Sequence, residues 1–391
     1  MITWEDVMEV EIPGERRLYG TMCSGITVHR QGRALIVKLP NDFFRALSSG
    51  FTNGGFVESP QAVMNISGIG GKVEYTCMVG GLSTFDEMNR RYASKLGLDP
   101  MRTVFQGTAA NMDNASVVNM QTGSGIDVSL AITGGISHNG GRAGDPTTYD
   151  ESRDTGNTKS GTIISIMAID AELSDSAMLE AMLLATEAKS CVIQELQARS
   201  HYSCGIATGS GTDQVTIIMN RSSPHKVDRI LKSSDLAITI AECLAAGLRD
   251  TFDRQAGMNP VTQWDPLVLM ERYQIDMIRE EIRFPARMEE LLSSLEVLRK
   301  DPHSTAMVSV MLNIADDVRN GLIPEEDGME LARTICEDHV IRRRTDPVER
   351  LRIDNQESVI DLLSYVCALK LMEKVESRRC GDEQRGDRDP Q

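Results

Sequence analysis

The sequence has little of what usually gives a function away. Aromatic residues make up 4% of its 391 positions, and only two are tryptophan. None of the eight cysteines forms a C-x-x-C pair. The six histidines include no H-E-x-x-H and no pair at i, i+4. These absences argue against a zinc ribbon and against a helix-borne catalytic zinc. No apolar run reaches the eighteen or so residues that a membrane span needs, so no membrane partner is expected. The opening stretch, MITWEDVMEVEIPGE, is acidic and lacks the basic start and long apolar stretch of a secretory signal. Positive charge is also short, with a formal net charge of −16. Non-specific nucleic-acid binding needs clustered Lys and Arg, so that class is excluded too. A small neutral or cationic substrate is compatible with this charge.

The common nucleotide and hydrolase motifs are missing as well. No Gly-Lys-Ser/Thr completes a Walker loop. No G-x-G-x-x-G joins a strand to a helix, and no G-x-S-x-G elbow occurs. The cysteines, at 23, 77, 191, 204, 243, 336, 367 and 380, are scattered, several of them in apolar runs. There a free Cys behaves as a small hydrophobe, and the pattern suits a reducing, cytoplasmic setting.

What is present falls into two textures. Up to about residue 260 the chain is rich in glycine and in strand-like runs. RALIVKLP, KVEYTCMVG, ASVVNMQ, GIDVSLAIT, SGTIISIMAI and QVTIIMN are β-branched and bordered by glycine. Helices are predicted near 84–97, 175–199 and 234–255. After AGMNPVTQWDP glycine becomes rare, and amphipathic helices are predicted near 276–298, 303–319, 325–343 and 355–375. The fold class is therefore α/β (α+β): a glycine-rich, mixed-sheet N-terminal domain with layered helices, residues 1–260, followed by an all-α segment, residues 262–376. The last stretch, 377–391, has almost nothing to bury and is expected to be a disordered tail.

Four loops combine glycine with small hydroxyl or amide residues and abut strands. They are SSGFTNGG at 48–55, TGGISHNGGRAGDP at 133–146, KSGT at 159–162 and ATGSGTD at 207–213. Glycine lets backbone N–H groups approach a ligand closely. Neutral donors and acceptors suit a polar, amide-bearing substrate better than a polyphosphate; a plain turn is the alternative for each loop. One helical residue is also out of place. Ser174 is a good N-cap for the helix that follows, and Met178, Met182, Ala185, Lys189, Ile193 and Leu196 then share one stripe. Lys189 there either snorkels, meets a carboxylate in a structural ion pair, or serves a site.

At these loops the sequence resembles the adenosylcobinamide amidohydrolases of corrinoid salvage. The resemblance is carried by SSGFTNGG, by HNGGRAGDPTTYDE at 138–151, by GTIISIMAIDAELSDSAMLEAMLLATEAKSCVIQEL at 161–196, and by YSCGIATGSGTDQVTI at 202–217. TEAK together with ATGSGTD is its most specific part. It covers roughly residues 20–255 and leaves the role of the later helices open. It implies hydrolysis of the amide that joins the corrin's propionyl arm to aminopropanol. The products would be adenosylcobyric acid and 1-amino-2-propanol. The partner is then a small-molecule corrinoid, the cobalt belongs to the substrate, and no protein-bound cofactor is expected. A homo-oligomer is compatible with this reading.

Amide hydrolysis needs an attacker, oxyanion donors and an acid for the leaving amine. Asp213 is the first candidate for base or orienter, against an Asx-type turn contact. Lys189 is its candidate ionic partner. His138 is a candidate acid, or else a surface loop histidine. Glu187 of TEAK is an alternative base if its polar face borders the pocket. Thr162, Ser210 and Thr212 are candidate nucleophiles. Ser49, Asn53, Gly54, Gly55, Asn139, Gly209, Ser210, Gly211 and Thr212 are the candidate substrate-binding positions, with backbone N–H groups at 54–55 and 209–211 as oxyanion donors. Other readings are a Thr-nucleophile hydrolase or acyltransferase using Thr162 after self-cleavage, and a corrinoid-binding protein without catalysis.

Overall fold

A computed structural model describes residues 14–67, 81–146, 149–150, 155–156, 161–275, 277, 288–339 and 355–371. The strand expected at KVEYTCMVG, Cys77, Cys380, most of 276–287 and the 377–391 tail lie outside the described residues. The chain divides into two compact units, Met1–Asn259 and Pro260–Gln391.

The first unit is built around two large sheets. In chain order its main strands are β1 (Arg17–Thr21), β2 (Thr27–Gln31), β3 (Ala34–Lys38), β4 (Phe44–Ser48), β5 (Gly55–Glu58) and β6 (Ala62–Ser67). Then come helix α1 (Gly81–Lys95), β7 (Thr103–Thr108), β8 (Ser116–Gln121), β9 (Asp127–Gly135) and β10 (Thr162–Ile169). Helix α2 (Asp175–Glu195), β11 (Gln214–Asn220) and helix α3 (Asp235–Ala256) complete it. One sheet has the order β1-β2-β3-β6-β7, the other β5-β4-β11-β10-β9-β8. Within these two sheets pairing is antiparallel except for β6 with β7 and β10 with β11, each joined through a helix. A parallel pair needs such a crossover, so α1 and α2 follow from the topology.

The layers are legible in the side chains. Val63 and Val104 of the first sheet pack against Ala131, Ile164, Ile166 and Ile218 of the second. The outer face of the first sheet, with Met64 and Phe105, is covered by Tyr92 and Ala93 of α1 and by Leu96 just after it. The outer face of the second, with Ile163, Met167 and Ile217, is covered by α2 and α3. Every residue of β10 and β11 is buried, which is why both read as near-continuous apolar runs. Helix α2 starts where the sequence predicts, with the Ser174 hydroxyl accepting from the Ala177 amide at 3.1 Å. Helix α3 has the same device at Ser234 and ends on Gly257 in the left-handed region.

The second unit is helical among its described residues. It includes α4 (Met288–Arg299), α5 (Pro302–Arg319), α6 (Glu325–His339) and a helix over 359–371. Met307, Met311, Ala332, Cys336, Leu362 and Val366 fill its core. Asp316 anchors a buried cluster, accepting from Arg272 and from the Tyr273 hydroxyl at 2.6 Å each. The mixed-sheet unit and helical unit match the fold class read from the sequence.

Burial pushes the thiols of Cys243, Cys336 and Cys367 up to about 12, so they pack as inert small hydrophobes. No helix among the described residues is long and apolar enough to cross a membrane.

Candidate active site

The loop at 207–213 is organised around one carboxylate. Asp213 lies immediately before β11. Its Oδ1 accepts from the Ile163 amide at 3.0 Å and from the Ser210 hydroxyl at 2.6 Å. Its Oδ2 accepts from the Ser210 amide at 3.0 Å and from Lys189 Nζ at 2.5 Å. The Lys189 and Asp213 side chains are only 10% and 11% exposed, so solvent screens this pair weakly. This accounts for a lysine on the apolar stripe of α2: the stripe passes under the loop, and the ammonium meets its carboxylate there. The packing leaves no room at Gly209. A Cβ at that position would lie 2.2 Å from Asp213 Oδ2 and 2.8 Å from Lys189 Nζ.

Three hydroxyls continue the network. Thr162, the first residue of β10, shares a short hydrogen bond with the Thr212 hydroxyl. Its Oγ1 is 3.4 Å from Ser210 Oγ. The Thr212 hydroxyl is also placed to donate to the Gly161 carbonyl at 3.3 Å, and the Thr212 amide donates to Ser210 Oγ at the same distance. Polar contacts therefore run from Thr212 and Thr162 through Ser210 and Asp213 to Lys189. Thr162 is buried, whereas Ser210 and Thr212 are half-buried and Gly211 is exposed. Ser210 thus combines access with a direct carboxylate partner.

The loop at 133–146 is stitched to this one. Gly140 and Gly141 pair antiparallel with Ser210 and Gly209. Asn139 donates through Nδ2 to the Gly161 carbonyl, while its buried Oδ1 has no hydrogen-bond partner. Asp145 fixes the far side, accepting from the Arg142 amide at 2.7 Å and the Ser200 hydroxyl at 2.5 Å. Burial pushes the Asp145 carboxyl up. Hydrogen bonds from Ser200, Ser203 and the Arg142 amide, with the Arg142 charge, outweigh that and hold it below its ordinary value.

Other candidates stand apart from the carboxylate. Glu187 is exposed and pairs with Lys232 at 2.7 Å. Two residues from Lys189 is about 200° around a helix, which turns it away. His138 is exposed beside Asn139 and is not among the partners of Asp213. In the first loop the polar groups pin the loop itself. Ser49 exchanges hydrogen bonds with the Val215 backbone, its amide donating at 3.0 Å and its hydroxyl accepting at 2.9 Å. Asn53, in the left-handed region at φ 56°, donates to the Pro100 and Thr103 carbonyls at 2.7 Å. Gly54 packs so closely on Gly50 that a Cβ would meet its carbonyl at 2.2 Å, and Gly55 has φ 82°.

One group of residues was not anticipated from the sequence. Between the two sheets, the apolar layer gives way at one end to Ser48, Asn65, Gln106, Thr133, Gln214 and Thr216, all buried. Asn65 reaches across to Thr133 at 2.9 Å, and within the second sheet Ser48 bonds its register partner Thr216 at 2.7 Å. This is also the Thr162 end of β10. Among the described residues, no group of three or more His, Cys, Asp or Glu could hold a metal ion.

Helix-covered mixed sheets, with a hydroxyl–carboxylate–lysine network where the loops converge, define the protein class. Comparison with known proteins gives it a family. The model of the adenosylcobinamide amidohydrolases matches residues 20–260, and the chain belongs to that family. An uncharacterized protein of Methanocaldococcus jannaschii is 30% identical over 146 residues, 34% of this chain. The chain spans 57% of the length of that curated relative. Among solved structures, the PH0078 protein from Pyrococcus horikoshii OT3 aligns over 64% of this chain and 83% of its own. Its TM-score is 0.24 at 12% identity, a likeness too slight to define a shared fold.

Proposed function

We propose that this protein hydrolyses the aminopropanol amide of adenosylcobinamide, giving adenosylcobyric acid and 1-amino-2-propanol for re-entry into cobalamin synthesis. Family membership over residues 20–260 supports the substrate. The observation that carries the chemistry is the Ser210–Asp213–Lys189 network, with its 2.6 Å and 2.5 Å contacts. In this reading Ser210 Oγ attacks the amide carbonyl carbon. Its proton passes to Asp213 Oδ1 and from there to the departing nitrogen. The C–N bond breaks, 1-amino-2-propanol leaves, and the corrin acyl group remains as an ester on Ser210. Water then cleaves that ester, releasing adenosylcobyric acid and restoring the hydroxyl. Lys189 keeps Asp213 in place and balances its charge in a weakly screened setting. Backbone N–H groups around the exposed Gly211 are the natural donors to the oxyanion. Thr162 and Thr212 hold Ser210 in position, and Asn139 orients the Gly161–Thr162 peptide.

The reading gives catalysis to residues 1–260 and leaves the helical unit without an assigned role. It places the reaction in the cytoplasm, with the corrinoid as partner and its cobalt as part of the substrate. Incubation with adenosylcobinamide, followed by mass spectrometry of the products, tests it. Release of 1-amino-2-propanol supports it. Substrate that is bound and recovered intact would make the protein a corrinoid binder. A preparation that runs as two fragments, split before Thr162, would move the nucleophile to Thr162.

A further inference from the structure

The polar end of the layer between the sheets contains an unmet demand for hydrogen bonds. Asn65 and Gln106 are adjacent in the parallel β6/β7 register and are each 1% exposed. Both Gln106 amide atoms and the Asn65 Oδ1 lack any hydrogen-bond partner. On the facing sheet, the Oε1 of the buried Gln214 is unpartnered as well. Leaving such groups unpaired costs their desolvation with nothing in return, so a fold rarely keeps several together without something to fill them.

Their direction is fixed by the fold. Val63 and Val104, two residues before Asn65 and Gln106, face the second sheet, and period-two alternation places the amides on that same face. The Asn65–Thr133 bond across the layer confirms it for Asn65. Thr133 pairs with Ile164, and Ile164 pairs with Gln214. Thr162 lies one pleat further along β10, about 7 Å by strand geometry. The loop at 48–55 closes against the same place, with the Phe105 amide donating to the Thr52 carbonyl at 3.1 Å. The unmet amides thus adjoin the candidate active site.

Their chemistry selects a ligand. The unmet set is one amide donor group, Gln106 Nε2, and three acceptors: Gln106 Oε1, Asn65 Oδ1 and Gln214 Oε1. A primary carboxamide suits it, with its carbonyl accepting from the donor and its two N–H bonds serving two of the three acceptors. A carboxylate offers only acceptors and would face oxygen with oxygen. No cation lies in the set to compensate. Resting on the amidohydrolase reading above, we propose that Asn65, Gln106 and Gln214 form a carboxamide subsite, which takes a small amide-bearing arm of the substrate and rejects the corresponding acid. The three residues are only 1–2% exposed, so the ligand they take is such an arm and not the corrin ring. Burial also removes water from competition, which strengthens the hydrogen bonds made there.

The test uses the full chain and Gln106→Met, which keeps length and removes both polar atoms. Three quantities are measured: the thermal midpoint without ligand, KM and kcat for adenosylcobinamide, and the midpoint shift given by propionamide against propionate. The subsite predicts that Gln106→Met melts no lower than wild type, because no hydrogen bond is lost from the free protein. It predicts KM raised about tenfold, the loss of one to two neutral hydrogen bonds, with kcat changed less than about twofold. It predicts that propionamide raises the wild-type midpoint, propionate does not, and Gln106→Met responds to neither. A lowered midpoint with unchanged KM would overturn the proposal, since Gln106 would then be a structural residue bonded to ordered water. Equal shifts from propionamide and propionate, or a shift from neither, would overturn it as well. The propionamide arm needs no variant and no turnover. It therefore decides the subsite even if Gln106→Met fails to fold, or if adenosylcobinamide is not the substrate.

Discussion

Replacing Lys189 with methionine separates the charge of the site from its packing. Methionine has similar length and suits the stripe shared with Met178, Ala185 and Ile193, all buried. What disappears is the ammonium 2.5 Å from Asp213, in a pair only 10% and 11% exposed. Removing one partner of a buried pair leaves an uncompensated charge and costs about 3–5 kcal/mol. Asp213 would keep three donors, the Ile163 amide, the Ser210 amide and the Ser210 hydroxyl. Those place the expected loss near the low end, about 3 kcal/mol. For a unit of this size, that is a fall of about 6–12 °C in thermal midpoint. Adding Asp213→Asn to Lys189→Met removes the stranded charge and should recover more than half of the loss, while turnover stays as low as in Asp213→Asn alone. Thermal denaturation of the two single variants and the double variant gives the coupling directly. A Lys189→Met protein that melts within about 1 °C of wild type would refute the reasoning, because the pair would then be exchanging freely with solvent.

Other expectations follow from the same geometry. Asp213→Asn, on folded protein, should lower turnover by roughly 10²–10⁴, the range for losing a positioned acid–base group, and near-normal turnover would leave Asp213 a turn residue. Ser210→Ala should abolish turnover while Thr162→Val leaves some; the reverse order, measured on the same substrate, would make Thr162 the nucleophile. Gly209→Ala should disrupt the site, because its Cβ would meet Asp213 and Lys189, whereas Gly211→Ala points into open space and should fold and bind normally. Asp145, held below its ordinary value of 3.8, contributes stability that is full above that pH and is lost as pH falls through its lowered value. The gap in thermal midpoint between wild type and Asp145→Asn should therefore be constant near neutrality and close in strong acid.

The parts of this site that were legible in the sequence are those that break a local pattern. Lys189 interrupts an apolar helical stripe, and Asp213 follows a glycine-hydroxyl turn at the mouth of a buried strand. Each anomaly accounts for the other once the fold brings them together. Glu187 shows the limit of a motif read linearly: two positions from Lys189 in TEAK, it faces the opposite way and pairs with Lys232. The first loop shows another limit. Asn53 and Ser49 look like ligand groups, yet Asn53 bonds the Pro100 and Thr103 carbonyls and the Arg90 side chain, and Ser49 bonds the Val215 backbone. Asn65 and Gln106 escaped notice because an amide in a six-residue strand reads as an outward polar position. Only pairing with a second sheet turns that face inward. The strands that carry them are among those the apolar runs do not reveal, in contrast to the fully buried β10 and β11.

The central claim is that the Ser210–Asp213–Lys189 network cuts an amide of a corrinoid. Purified full-length protein incubated with adenosylcobinamide, its products resolved by mass spectrometry, tests that most directly. The account predicts adenosylcobyric acid and 1-amino-2-propanol in equal amounts, and neither product from a folded Ser210→Ala protein. Intact adenosylcobinamide after prolonged incubation with wild type, or equal product from wild type and Ser210→Ala, would contradict it.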